Sequence, residues 1–283
     1  MNNCKGLGKI LFFAIIVAST AANAQTKPAT PASGKATEKE ARPALEPKAM
    51  ELLKAMSERL AAAHTLKFVS LESYESPSRQ GHPLVFANKS EVTLQRPDKL
   101  RVITPGDGPA SEFYYDGKTM TAFAPAENLV AVAAAPPTID AALEVAFHSH
   151  GTYFPFTDLI VANPYKDSAP GIELAYYIGR SQLVGGTTTD MVSFVGNGIF
   201  AQIWIGVEDK LPRLVHVVYL DDPAQLRHNL FLSDWQLDQS IQPDAFTTAR
   251  AAGAKHIPFA NPDAQPPPGA RPPTKVETPK AQQ

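Results

Sequence analysis

Apolar side chains recur along the chain at two spacings, and the change between them marks its elements. From Pro47 the spacing is helical, and Pro47 itself suits a first helical turn, where its missing N–H needs no partner. The apolar positions form a single stripe, made of Ala49, Leu52, Leu53, Met56, Leu60 and Ala63. This pattern predicts one amphipathic helix that needs a surface to lie on.

From Leu66 the spacing changes to two, which is typical of β-strands. Turn residues separate the strands, and Asp116-Gly117 is a strong two-residue hairpin signal. Connections this short favour antiparallel pairing, because parallel crossovers need a dozen or more residues. The predicted strands are 66–75, 84–95, 99–104, 111–116, 118–124, 128–134, 172–183, 188–195, 199–207, 213–220 and 228–239.

The alternation breaks at Pro136-Pro137. Thr138 can cap a helix that runs to about His148, and a second helical stretch is predicted from Phe156 to Val161, ending at Asn163-Pro164. The pattern therefore predicts a central helical insertion between two groups of strands.

Several strands are apolar on both faces. In 199–207, Ala201 and Ile203 point one way, while Phe200 and Trp204 point the other. Strands of this kind need cover on both faces. Two interpretations remain open: a sheet curved around helices with an apolar cavity, or a sheet whose second face is simply packed by helices.

The first 24 residues have the features of a cleavable export signal. Lys5 and Lys9 precede an apolar run from Ile10 to Ala18, and Ala22-Asn23-Ala24 supplies the small-x-small cleavage pattern. The run is too short to cross ~30 Å of hydrocarbon as a helix. Since no cysteine follows the cleavage point, we expect an exported protein without a lipid anchor.

The ends of the mature chain differ in composition from its centre. Residues 25–44 are rich in Pro, Ala, Thr and charge and predict a flexible linker, and 261–283 predict a disordered Pro-rich tail. The remaining residues, 45–260, are long enough for one β-rich domain.

Charge and cysteine content exclude several classes of protein. The 26 basic and 28 acidic residues are scattered, so no nucleic-acid surface is expected. The single cysteine, Cys4, lies in the signal, so the mature chain has no disulfide framework and no thiolate metal site. Neither a catalytic nor a cofactor-binding motif appears, and we expect no cofactor and no catalytic residues.

The best metal candidate lies in the central insertion. Asp140, Glu144 and His148 follow one another at helical spacing, and His150 is close by. A carboxylate and two imidazoles can hold a divalent cation. The simpler interpretation is the exposed side of an amphipathic helix, which shows polar groups at the same spacing.

A basic connection, Arg96-Pro97-Asp98-Lys99-Leu100-Arg101, joins two predicted strands. Pro97 and Asp98 fit a rigid turn. The three cations Arg96, Lys99 and Arg101 are a candidate rim for an anionic group, although chance explains them equally well in a charged loop.

A succession of short motifs runs through the chain: RPDKLR at 96–101, YDGK at 115–118, APPTID at 135–140, QIWIG at 202–206, LPRL at 211–214, and Phe246 with Gly253-Ala254-Lys255. With these motifs the chain resembles a bacterial family of predicted periplasmic proteins of unknown function (domain of unknown function 2092). That family is similar to the LolA and LolB lipoprotein carriers. Met191 departs from the pattern, since a histidine is expected there in many members.

The resemblance implies a mainly β (α+β) fold. Its expected form is a curved antiparallel sheet of about eleven strands, an incomplete β-barrel closed by the N-terminal amphipathic helix and the central insertion. It covers 45–260 as one half-barrel domain and implies a periplasmic protein.

The function implied is that of a soluble periplasmic carrier that holds a lipid or lipidated protein in an apolar cavity. Arg96, Lys99 and Arg101 would meet an anionic head group. We expect a monomer with transient contact to a membrane or membrane protein. The candidate cavity residues are Phe113, Tyr115, Phe123, Leu143, Phe194, Phe200 and Trp204.

Two alternatives remain. One is an envelope protein-interaction or sensing domain on the same fold. The other is a metal-assisted hydrolase that uses Asp140, Glu144, His148 and His150.

Overall fold

A computed structural model describes residues 44–106 and 109–260. The expected signal, almost all of the expected linker and the expected tail lie outside these residues. Among the described helices, none has both the length and the apolarity needed to cross a membrane.

The described strands form one curved, open sheet, with β12 and β7 at its two edges. All neighbouring strands are antiparallel except the two-residue strand β12, which pairs in parallel with β6. The helices are α1 (Pro47–Ala62), α2 (Ile139–His150), α3 (Thr157–Ile160) and α4 (Pro164–Ser168). The strands are β1 (Thr65–Ser76), β2 (Leu84–Gln95), β3 (Lys99–Thr104), β4 (Ser111–Tyr115), β5 (Thr119–Ala124), β6 (Leu129–Ala134), β7 (Ile172–Ser181), β8 (Thr189–Gly196), β9 (Ile199–Gly206), β10 (Pro212–Tyr219), β11 (Arg227–Leu237) and β12 (Lys255–His256). Their order in the sheet is β12-β6-β5-β4-β3-β2-β1-β11-β10-β9-β8-β7. The predicted fold class, a mainly β incomplete barrel, is confirmed.

Turn chemistry sets the strand boundaries. At the predicted Asp116-Gly117 hairpin, Gly117 has φ +91°, and the Asp116 carboxylate accepts hydrogen bonds from the N–H groups of Lys118 and Thr119 at 2.9 and 2.8 Å. This confirms the hairpin between β4 and β5. The sequence did not reveal β12, since a two-residue strand has no periodicity.

The central insertion differs from the prediction at its second helix. Thr138 caps α2 by accepting from the Ala141 N–H, and Gly151 ends the helix at φ +62°. Helix α3 is shorter than the predicted Phe156–Val161 stretch. Asn163-Pro164 does not end a helix but begins α4, because the Asn163 side chain accepts from the Lys166 N–H.

The main core lies between the helices and one face of the sheet, which we call the inner face. Its buried side chains come from α1, α2 and the segment around α3, and from strands β1–β5, β7–β9 and β11. A smaller cluster covers the opposite, outer face, where Phe123 and Val130 pack with Ala251 and Ala254 of the C-terminal segment. The insertion thus faces the inner side of the sheet.

Candidate binding site on the inner face

Residues 151–161, which we call the plug, place aromatic side chains on the inner face. The Phe154 ring lies 5.2 Å from that of Phe113 in β4 and 5.6 Å from that of Phe156. Phe156 is fully buried, and its ring meets that of Phe68 in β1 edge-on at 5.5 Å. Phe68 in turn stacks at 4.5 Å on Trp235 of β11. The plug therefore completes a row of five rings across the interior.

The plug is held on the sheet by side chains. Its backbone hydrogen bonds to described residues all run between residues 146 and 161, within the insertion itself. Polar contacts also fasten its surroundings: both Asp140 carboxylate oxygens accept from the Ala162 N–H, and Ser57 Oγ accepts from the Tyr165 N–H at 2.7 Å. An apolar ligand would therefore have to replace side-chain packing rather than backbone hydrogen bonds to the sheet.

One end of the inner face is polar. Glu72, Tyr153, Tyr219 and His228 gather there, and we call them the polar cluster. The Tyr153 and Tyr219 side chains interact with each other, and the ring of Tyr219 meets that of His228 edge-on at 5.2 Å. Tyr74 stacks on the other side of His228, with ring centroids 6.1 Å apart. The cluster joins the plug to strands β1, β10 and β11.

Burial perturbs the titration of the polar cluster. It raises the pKa of Glu72 to about 7, and it raises the pKa of Tyr153 well above its ordinary value, helped by Tyr219 and nearby carboxylates. It also lowers the pKa of His228. In each case the neutral form is favoured, as expected for groups withdrawn from water.

The seven predicted cavity residues divide between the two faces. Phe113, Tyr115, Leu143 and Phe194 belong to the main core on the inner side. The other three, Phe123, Phe200 and Trp204, point to the outer face.

The strand register causes this division. Phe200 and Trp204 alternate with the core residues Ala201 and Ile203 of β9, so their side chains point away from the core. Phe123 belongs to the outer cluster. The seven residues therefore do not share one face of the sheet.

The three candidate cations do not form a common rim. Arg96 is half-buried, and burial lowers its pKa against the opposing effect of Asp140. Lys99 donates to the Asp116 carbonyl at 3.0 Å. Lys99 and Arg101 occupy outer-face positions of β3, because they alternate with the core residues Leu100 and Val102.

The proposed metal cluster does not assemble. Asp140 is engaged by the Ala162 N–H, and the ring of His150 stacks on Phe259 at 4.3 Å. Among the residues that the structure describes, no three His, Cys, Asp or Glu side chains are grouped closely enough to hold a metal ion. The hydrolase alternative, which also required Glu144 and His148, therefore has no metal site among the described residues.

An open groove of about 580 Å³ lies elsewhere, between α1 and α4. Its walls include Met50, Lys54, Tyr165 and Pro170. None of the predicted cavity residues borders it. The groove is therefore separate from the site on the inner face.

The comparisons with known proteins identify a family. The family model described as "Predicted periplasmic protein (DUF2092)" matches residues 49–260. No curated protein matches the chain.

Similar solved structures include the MucA/MucB complex of Pseudomonas aeruginosa, at 13% identity and TM-score 0.41, covering 72% of this chain and 62% of that one. The chain thus spans less than two thirds of that relative. LprF of Mycobacterium bovis matches at 15% identity and TM-score 0.44, covering 71% and 97%. A LolA superfamily protein of Nitrosomonas europaea matches at 10% identity and TM-score 0.38, covering 71% and 97%.

Proposed function

The chain belongs to the DUF2092 family of predicted periplasmic proteins, and from this premise we propose that it is a periplasmic binding or carrier protein for a lipid or lipidated ligand. The ligand's acyl chain lies on the inner face, in the place that the plug occupies here. The observation that carries the proposal is the plug itself, an apolar cover held on the sheet by side chains alone.

The energetic balance supports an exchange of plug for ligand. Burying a sixteen-carbon chain contributes roughly 12 kcal/mol, at about 0.8 kcal/mol for each methylene. Exposing the rings of Phe154 and Phe156 costs about 1.5–3 kcal/mol for each side chain, whereas exposing the buried Leu159, Ile160 and Val161 as well would raise the cost to about the size of the gain. Exchange is therefore favoured for a ligand that displaces the two rings and leaves α3 in place, and its surplus of several kcal/mol offsets part of the entropy of association. Such a protein needs no catalytic group.

The matched pair Phe154→Ala and Phe200→Ala tests this. Phe154 belongs to the plug, whereas Phe200 is half-buried on the outer face. Weakening the plug should increase binding of the apolar fluorophore N-phenyl-1-naphthylamine, and the outer-face variant should bind as the parent does. Mass spectrometry of protein purified from the periplasm should also find reproducible acyl species. The proposal is refuted if the purified protein carries no acyl species and does not bind the fluorophore.

A protein-interaction role is the second candidate, favoured by one feature of β2. Residues 84–90 extend beyond the part of β2 that pairs with β3, so one backbone edge has no described strand beside it. Leu84, Val85 and Phe86 are 52%, 66% and 46% exposed there. An extended partner segment can add to such an edge. Crosslinking in cells tests this, because Val85→Lys should remove a dominant protein adduct if the edge is used.

A further inference from the structure

We propose that Ser70 and Glu72, beside Tyr219, form a head-group site at the polar end of the inner face, selective for a hydrogen-bond-donating amine or hydroxyl and against an anionic group. This inference rests on the proposed function and names the chemical class of its ligand. It reverses the expectation, drawn from the basic connection at 96–101, that the head group is anionic.

Two neighbouring polar side chains of β1 face the inner side. Ser70 and Glu72 alternate with Phe68, so all three point to the inner face. Ser70 is 2% exposed, and its Oγ has no hydrogen-bond partner in the described structure. The carboxyl of Glu72 beside it is half-buried. Buried polar groups are normally satisfied, so the unpaired Ser70 hydroxyl next to this carboxyl points to a ligand.

The plug covers this site. Tyr153 interacts electrostatically with the Glu72 carboxyl and with the Tyr219 side chain. When a ligand displaces the plug, the Glu72 carboxyl loses Tyr153 and becomes available to the ligand. A head group with a donor can then bond to the carboxyl and to the hydroxyl of Ser70, which lies two residues away on the same face of β1.

The charge of this region opposes an anion. The inner-facing positions of β1, β2 and β11 hold no lysine or arginine, since Lys67, Lys89 and Arg227 all occupy outer-facing positions. The titratable groups of this region are Tyr153, Tyr219 and Asp158, with His228 on β11. No cation there compensates a second negative charge, and like charges repel strongly where water is scarce.

Three twelve-carbon probes with different head groups test the site. Dodecylamine, dodecanol and dodecanoate displace N-phenyl-1-naphthylamine from the full-length protein at pH 8, where the Glu72 carboxyl is ionised. We expect dodecylamine to bind at least about tenfold more tightly than dodecanoate. Glu72→Gln, which keeps the side chain's size, should reduce that ratio at least fivefold.

Glu91→Gln is the matched control. Glu91 is exposed and points to the outer face of β2, so this variant should keep the parent's ratio. Ser70→Ala should weaken the binding of dodecanol. Thermal unfolding of each variant checks that it folds. If dodecanoate binds as tightly as dodecylamine, or if Glu72→Gln leaves the ratio unchanged, the head-group site is refuted while the proposed function stands. If neither the fluorophore nor any probe binds, the proposed function itself fails.

Discussion

The carboxyl of Glu72 should make the folded protein less stable as pH rises, and Glu72→Gln should abolish this pH dependence. Burial raises the Glu72 pKa from 4.5 to about 7, so the folded protein holds this proton more tightly than the unfolded chain. The contribution of this protonated carboxyl to the free energy of unfolding is fully present below pH 4.5 and is lost as pH rises through 7. At 1.36 kcal/mol per unit of pKa, the upper limit is about 3 kcal/mol.

The assay is urea unfolding of the parent and of Glu72→Gln at pH 5 and pH 8. Comparing the two proteins at each pH cancels the effects of other titrating groups, His228 among them. The free energy of unfolding of Glu72→Gln relative to the parent should rise by about 1–3 kcal/mol between pH 5 and pH 8. Glu91→Gln should show no such rise. If Glu72→Gln differs from the parent equally at both pH values, the carboxyl is not desolvated and the reasoning is wrong.

Three further changes have defined outcomes. His228→Gln should remove a loss of stability that the parent shows as pH falls below 6.5, because burial lowers the pKa of His228; unfolding at pH 5 and 7 tests this. Phe156→Ala should cost about 3–5 kcal/mol of unfolding free energy, and Phe200→Ala clearly less; equal losses would contradict the packing. Glu112→Leu should cost about 1–3 kcal/mol and speed proteolysis near Arg250, since Glu112 is buried and bonded to Arg250; unchanged proteolysis would contradict this.

The sequence predicts the elements well where turn residues bound them. Strands β2 and β3 begin and end where predicted, and Thr138 and Gly151 bound α2, because proline, glycine and capping side chains act locally. Asn163-Pro164 was misread as a stop, since the same pair also begins a helix. Turn and capping residues therefore locate the boundary of an element, but they do not always show whether the element begins or ends there.

The site was harder to predict because it depends on which face of each strand is buried. In β9 both faces are apolar, so alternation cannot distinguish Ala201 from Phe200. In β1 the apolar positions change faces, from Leu66 and Phe68 on the inner side to Leu71 on the outer side. Glu72 therefore gives no signal in the sequence, and only the strand register places it on the inner face.

The two tryptophans allow the most direct test of the inner-face binding site. Trp235 packs against the main core beside Phe68, whereas Trp204 points to the outer face. Trp204→Phe leaves only the inner tryptophan, and Trp235→Phe leaves only the outer one. The measurement is quenching of each variant's fluorescence by 9,10-dibromooctadecanol, whose bromines quench only at short range. The account predicts saturable quenching of Trp235 and little quenching of Trp204; equal quenching, or stronger quenching of Trp204, would contradict it.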